Sequence, residues 1–425
     1  MKFSIITIGS QGDTEPFIAL GKRLQQNGHD VKIAAFRKFE AYIKSEGFDY
    51  APLTGDAVEV IRLLIGEDVR PNEYFHNLSV LLNPIRDQFL ADVFSACEGA
   101  DAILYSILGS VAWHAADKLG IPCFRAFFCP ADPTGDFPAM TAPILPLGAP
   151  YNRFTFRCGD ILWTRSTRKL LNGWRRDMGL TPIRPFAFPY RTLHGRPVPT
   201  LYAYSPLVAP KPSGWDENLH LTGYWVREAK TDWQPDEALA RFLASGPKPL
   251  YIGFGSMVGG SFQQVLDIVL ESLRKTNQRA ILSSGWGDLK EQQLPDTVHQ
   301  VGFVPHSWLF ERVAAVVHHG GAGTTAAGLR AGLPTIVVPF GGDQPYWGNR
   351  VHALGVGPMP IPRKKLTAQR LSDAILQAVG DETILKNAKR LGKRLREEDG
   401  VGNAVKIIEQ ELQSCSSCKA IKIGE

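Results

Sequence analysis

The sequence predicts an α/β protein built as two doubly wound halves that face each other across a cleft. Three observations carry this. Apolar strand-like runs alternate with helical stretches, the alternation breaks off before residue 205 and then restarts, and glycine-rich turns follow strands directly. Strands alternating with helices imply parallel strands joined by crossovers. A chain of 425 residues also exceeds one ordinary domain at ~150 residues apiece.

The elements follow in order. KFSIITI is β-branched and apolar, GSQGD is a turn, and 15–27 carries Phe17, Leu20 and Leu24 at helical spacing until Gly28 ends it before the strand VKIAAF. Strands at 102–105 and 122–128 flank a helix over 111–119. From Asp132 to Tyr190 prolines and aromatics interrupt the pattern, which reads as loops and helices covering a cleft. The stretch SPLVAPKPSGW (205–215) holds three prolines and a glycine and reads as a connection. PLYIGFG then opens a second series, with a helix over 262–275, the strand RAILSSG, a strand at 314–318, a helix over 324–331 and the strand PTIVVPF. The expected organisation is a first Rossmann-like domain over 1–210, a linker at 211–217 and a second Rossmann-like domain over 218–395. Residues 396–425 form a C-terminal helix and tail packing back on the first domain.

Composition excludes several classes. Hydrophobic residues at 44% and charged residues at 21% match a soluble globular chain rather than a disordered one. The longest apolar runs, 335–340 and 313–317, fall far short of the ~20 residues that span a bilayer. KFSIITI lacks the apolar length and cleavage site of a signal peptide, and six cysteines make no disulfide framework, so a cytoplasmic protein is expected. Cys415 and Cys418 form a lone CxxC in a polar tail, with no second pair to complete a zinc site. A net charge of +5 suits anionic ligands or acidic lipid but is too small to indicate nucleic acid.

The sharpest motif is HHGGAGTTAAGLRAG (318–332), directly after the strand AAVVH. Glycines at a strand-to-helix turn let backbone approach a ligand, and the helix opening near Gly323 and Thr324 aims free N–H groups and about half a positive charge at it. Gly321, the imidazole of His319 and the hydroxyl of Thr324 complete a phosphate cradle, with Gly255 and Ser256 of IGFGSM as a second one. Asp343 and Gln344 of PFGGDQPYWGNR follow the strand TIVVP, where open α/β sheets bind ligands. A carboxylate beside a carboxamide suits adjacent sugar hydroxyls; alternatively Asp343 is a helix N-cap. Trp286, Phe303 and Val304 follow strands of the same half and either flank a base or pack in the core. In GSQGDTEP, Asp13 projects between the halves, placed either to take a proton from an acceptor hydroxyl or to cap the helix near Glu15. The dinucleotide GxGxxG and the P-loop are both missing, and no Asp-x-Asp pair is present to hold a metal against a diphosphate, so no metal is expected.

These motifs resemble the nucleotide-sugar region of the inverting UDP-glycosyltransferases of the GT-B fold. HHGGAGTTAAGLRAG followed by VPFGGDQPYWGNRV is most similar to sterol 3β-glucosyltransferases and their bacterial relatives. The likeness continues through GSQGDTEPFIALGKRL, KFEAYIKSEGFDYAPLTGD, FRAFFCPADPTGDFP, LYAYSPLVAPKPSGW and YIGFGSM. It implies that Ser256, His319, Gly321, Gly323 and Thr324 hold the donor diphosphate, that Asp343 and Gln344 bind glucose, and that Asp13 is the base. Ala327 stands where plant members carry a ribose-binding Glu, so UDP and dTDP both stay open. The implied activity is transfer of glucose from UDP-glucose, without a metal, to a hydroxyl of a hydrophobic acceptor. A sterol comes first, with a carotenoid, polyketide or flavonoid as alternatives.

Phe127, Phe128, Phe137, Met140, Phe154, Phe156 and Trp163 are the expected acceptor lining or ordinary core. Arg165, Arg168 and Lys169 either meet acidic lipid as a peripheral contact or form a solvated helix face. The chain is expected to be a bare catalytic module, beginning at its first strand, whereas fungal sterol enzymes carry long N-terminal lipid-binding regions. Two readings of other classes remain, a nucleotide-sugar epimerase and a non-catalytic binding protein.

Overall fold

Each half of the chain folds around a fully parallel sheet. The computed structural model describes residues 1–64, 73–140, 142–227, 233–255, 262–283 and 294–422. The first sheet contains β1 (Lys2–Ile6), β2 (Asp30–Phe36), β3 (Asp49–Leu53), β4 (Ala102–Tyr105) and β5 (Cys123–Phe127). A small antiparallel hairpin, β6 (Thr192–Leu193) with β7 (Arg196–Pro197), precedes its last two strands, β8 (Thr200–Tyr202) and β9 (Leu219–Leu221). The second sheet contains β10 (Leu250–Gly253), β11 (Ala280–Ser283), β12 (Val298–Val301), β13 (Val316–His318) and β14 (Thr335–Val337). Strand orders are β3-β2-β1-β4-β5-β8-β9 and β12-β11-β10-β13-β14.

Both sheets are covered on two faces, which is why their strands read as continuous apolar runs rather than alternating ones. Ile5 lies between Ile33 and Leu104 in register, all three fully buried. Ile252 lies between Leu282 and Val317 in the same way. In each sheet the first strand sits beside its second on one side and its fourth on the other. The winding therefore reverses at β1/β4 and at β10/β13, and ligands of such sheets bind at the carboxyl ends beside that reversal.

One region departs from the sequence expectations. The proline-rich stretch is not a linker: Val208, Ala209 and Trp215 are buried, and Trp215 stacks on Tyr202 at 4.5 Å. Because β9 pairs with β8, the first sheet extends to Leu221, past the expected boundary at 211–217, and the second begins at Leu250 rather than near residue 218. The prolines shape a packed loop between two neighbouring strands. The stretch from Asp132 to Tyr190, read as loops and helices, does contain a helix, of 30 residues, Gly148–Asp177.

The lobes share an apolar cluster in which Phe127, Tyr202 and Tyr204 of the first meet Ala326, Trp347 and Val351 of the second. The helix Gly400–Lys422 returns to the first lobe, where Val401, Ala404, Val405, Ile408 and Leu412 join the core. The outgoing and returning chains cross with almost no clearance. Gly223, at φ +95°, faces Gly400, and Asn403 Nδ2 donates to Thr222 O at 3.0 Å. Just beyond, Arg227 ties the outgoing segment to the first lobe through Glu15 at 3.1 Å and Glu46 at 2.7 Å. A Cβ on Gly400 would lie 2.4 Å from Tyr224 O. Gly400→Ala is therefore expected to destabilise the fold by about 1–3 kcal/mol, the usual cost of overpacking, read as a lower thermal midpoint.

Candidate active site

Beyond β1 the chain turns at Gly9, at φ +143°. Ser10 caps the helix Gln11–Gln26, and Asp13 completes a capping box. Asp13 Oδ2 accepts from Ser10 N at 2.7 Å and from Ser10 Oγ at 2.9 Å. A Cβ on Gly9 would sit 2.3 Å from that oxygen, so only glycine lets the carboxylate fold beneath the turn. The helix thus begins at Gln11, not near Glu15, and Asp13 is its third residue rather than its cap. Both bonds end on Oδ2, and among the described residues no other residue bonds Oδ1. Burial raises the Asp13 pKa, against the lowering effect of the Ser10 bonds.

The second lobe presents its own turn after β13. The helix Ala322–Ala331 opens at Gly321 with no side-chain cap, so its first N–H groups face outward without partners of their own helix. Thr325 turns its hydroxyl back to Gly321 O at 2.9 Å, while the Thr324 hydroxyl has no protein partner among the described residues. His319 lies between two glycine turns. A Cβ on Gly321 would be 2.5 Å from its Nε2, and one on Gly255 would be 3.8 Å from its Cε1. Its Nδ1 is buried without a hydrogen bond. Burial pulls the His319 pKa down to about 4, opposed by a hydrogen bond with the Gly253 backbone. His306, whose Nε2 meets the Tyr251 hydroxyl at 3.1 Å, is pulled to about 4 by burial and by His319, and His318 lies well below its ordinary value. The imidazoles here are neutral at physiological pH.

Asp343 occupies the N-cap position of the helix Gln344–Ala353 but makes no capping bond. Its Oδ2 instead accepts from Trp347 Nε1 at 2.8 Å. Gln344 is buried, and its Oε1 accepts from Phe340 N at 2.8 Å and Gly341 N at 3.2 Å, which leaves the amide NH₂ as its free donor. Burial raises the Asp343 pKa to about 6, and the charge of Asp13 raises it further while Trp347 lowers it. Asp13 of one lobe and Asp343 of the other thus share one mouth between the lobes.

Known proteins resemble this arrangement from end to end. Residues 3–137 match the glycosyltransferase family 28 N-terminal domain, and residues 269–405 match the erythromycin biosynthesis protein CIII-like C-terminal domain. The sterol 3-beta-glucosyltransferase of Emericella nidulans is 38% identical over 427 residues, covering 97% of this chain and 30% of that protein. That of Yarrowia lipolytica is 36% identical over 438 residues, covering 100% and 30%. This chain therefore spans 30% of the length of these relatives. Among solved structures, the glycotransferase of kitacinnamycin shares the fold at a TM-score of 0.70 and 21% identity, over 97% of this chain and 99% of that one. VinC in complex with dTDP does so at 0.69 and 18%, over 97% and 100%. The chain has the GT-B fold.

In this GT-B frame the remaining candidates separate. Ser256 and Trp286 lie outside the described residues. Phe303, after β12, is 68% exposed, whereas Val304 packs against the cluster around Tyr251 and Phe310. Of the aromatic residues expected around the acceptor, Trp163 lines an apolar cavity of about 740 Å³, counted to its open mouth. Phe127 belongs to the interlobe cluster, Phe137 packs on Tyr346 at 5.2 Å, and Phe154 is exposed to solvent. The cavity is walled by Ile8, Phe36, Leu78, Leu81 and Val111 with Trp163. Ile8, on the cavity wall, immediately precedes the Gly9 turn beneath which Asp13 folds.

Sequence reasoning missed three contributors. The helices Ala57–Leu64 and Tyr74–Leu82 supply much of the cavity wall, and their apolar spacing was the available signal. Trp347 fixes Asp343, an i,i+4 pairing visible in DQPYW. Cys129, after β5, feels the charges of both Asp343 and Asp13; burial first, then these carboxylates, push its thiol well above the ordinary range. No local pattern marks it.

The titration of Asp343 gives a test. kcat/KM for the donor should fall as pH drops through about 6, where the carboxyl takes up a proton. Trp347→Phe removes the bond that favours the ionised form, so the acid limb should move upward in the pH–rate profile.

Proposed function

We propose that the chain transfers glucose from UDP-glucose to the hydroxyl of a sterol, with inversion at the anomeric carbon. The observation that carries this reading is the position of Asp13. It folds beneath the turn that follows Ile8, a residue of the apolar cavity wall on one lobe, and is within electrostatic reach of Asp343 on the other. The high identity to sterol 3-beta-glucosyltransferases supports the acceptor class, as does the near absence of polar groups in the cavity wall.

In this reading the open N–H groups of the helix Ala322–Ala331, the Thr324 hydroxyl, His319 and Ser256 hold the diphosphate. Asp343 and the Gln344 amide hold glucose hydroxyls, and Phe303, Val304 and Trp286 flank the base. Asp13 takes the proton of the acceptor hydroxyl as that oxygen bonds to the anomeric carbon. The bond from that carbon to the diphosphate oxygen breaks, and the nucleoside diphosphate leaves with the electron pair. Because the leaving group gains negative charge as the bond breaks, fixed donors act more strongly in the transition state than on bound donor. No metal is assigned a part.

Incubation with UDP-glucose or dTDP-glucose and a panel of sterols, carotenoid alcohols and flavonoids, read by mass spectrometry, tests the donor and acceptor together. A sterol glucoside formed from UDP-glucose is expected; an isomerised donor in acceptor-free reactions would instead establish epimerase chemistry. Asp13→Ala should lower transfer by ~10²-fold or more while nucleotide affinity is retained. It should also cost about 1 kcal/mol of stability through the lost capping box. His319→Ala should weaken nucleotide binding and turnover together, measured by calorimetry and initial rates.

A further inference from the structure

The helix Gly148–Asp177 has two different faces. Phe156, Trp163, Thr167, Leu170 and Leu171 point inward, and the last four line the apolar cavity. Positions 154, 157, 161, 162, 165, 168 and 169 recur at intervals of three and four on the opposite side. There Phe154 is 62% exposed and Leu162 is exposed, interspersed with exposed Arg157, Arg165 and Lys169 and half-buried Arg168. The loop leading into the helix adds Ile144 at 69% and Leu147 at 61% exposure, with Leu145 between them. Five of the thirteen exposed large hydrophobic side chains among the described residues thus fall between 144 and 162.

The cations on this face are free. Among the described residues Arg157, Arg165, Arg168 and Lys169 make no ion pair. The two acids of the helix lie elsewhere: Asp160 is tied to Arg191 at 2.7 Å, and Asp177 ends the helix. Exposed Phe, Leu and Ile beside unpaired Arg and Lys, on a helix whose far side is buried in protein, is the pattern of a surface that lies on an acidic bilayer.

We propose that this outer face, with the loop 144–147, docks the enzyme on an anionic lipid bilayer, so that one helix both rests on the membrane and walls the acceptor cavity. The proposal rests on the lipophilic-acceptor reading for its purpose. A sterol lies in the bilayer with its hydroxyl at the headgroups, and docking by the wall of the cavity shortens its path through water.

Flotation with phosphatidylcholine vesicles, with and without about one-third phosphatidylserine, decides it. Wild-type protein should float with the acidic vesicles, bind the neutral ones more weakly, and be released from the acidic ones by salt. R165Q/R168Q/K169Q should lower partition about a hundredfold, from about fivefold per cationic side chain, or ~1 kcal/mol each. L147S/F154S should weaken binding at every salt concentration. Transfer to sterol supplied in cyclodextrin should be unchanged in the charge variant, whereas transfer to sterol embedded in acidic vesicles should fall with its binding. Failure of wild-type protein to float, equal flotation of the charge variant, or equal loss of both activities would overturn the proposal. Flotation reports docking whether or not sterol is the acceptor, so failure of the acceptor reading shows separately, as absence of sterol glucoside in both formats.

Discussion

The indole of Trp347 is the constraint on which the site depends. Its ring is buried between the lobes, edge-on to Tyr204 at 5.5 Å, and its N–H holds Asp343. A buried carboxylate is costly unless a donor faces it. The group that relieves that cost is also an anchor of the interlobe core, so the position of the Asp343 carboxylate follows the alignment of the lobes. Tyr346, one residue earlier, meets Phe137 of the first lobe, and Arg350 Nε donates to Val208 O at 2.8 Å. One short helix therefore carries the groups proposed to bind donor at its start and interlobe contacts along its length.

The two lobes use the same local device for their central side chains. In each, a strand at the point of sheet reversal ends in a turn, and a glycine near it makes room for a polar side chain that folds back. Gly9 admits the carboxylate of Asp13, and Gly321 admits the imidazole of His319. A methyl group at either position would overlap the functional group itself. The glycines are thus selected here by the space they leave, and at Gly9 by positive φ as well. In the first lobe the device serves a second purpose, because the folded-back carboxylate completes the helix cap and is held in one orientation by Ser10.

The sequence showed the parts of this that are local. Strand–turn–helix order marked both sheet reversals, and placing Asp13, His319 and Asp343 after strands follows from chain order alone. What it hid depends on partners distant in sequence. Three prolines between 205 and 215 look like a flexible connection, yet they bend a loop whose Trp215 stacks on Tyr202 within the core. Asp343 in DQPYW has the composition of a helix cap, but burial against Trp347 redirects its side chain. The cavity wall is assembled from the ends of β1 and β2 and from four separate helices, and no window of sequence contains it. Cys129 becomes part of the mouth only because β5 ends opposite the second lobe.

The electrostatics of the mouth give the cycle a direction. Before donor binds, Asp13 and Asp343 repel each other across it, and the imidazole that faces the phosphate cradle is neutral, at about 4. Each condition opposes ionisation of these buried groups. A nucleotide sugar changes both. In the proposed reaction, sugar hydroxyls on Asp343 would donate to the carboxylate and stabilise its charged form, while the diphosphate would bring negative charge to His319 and raise its proton affinity. In that reaction, the charge added as the bond from the anomeric carbon to the diphosphate breaks would fall beside the imidazole and the helix N-terminus. The acceptor proton would move toward Asp13, whose pKa burial raises. The charge separation of the reaction thus runs from the acidic lip of the cleft towards its donor-lined floor, in the sense that the fixed groups favour.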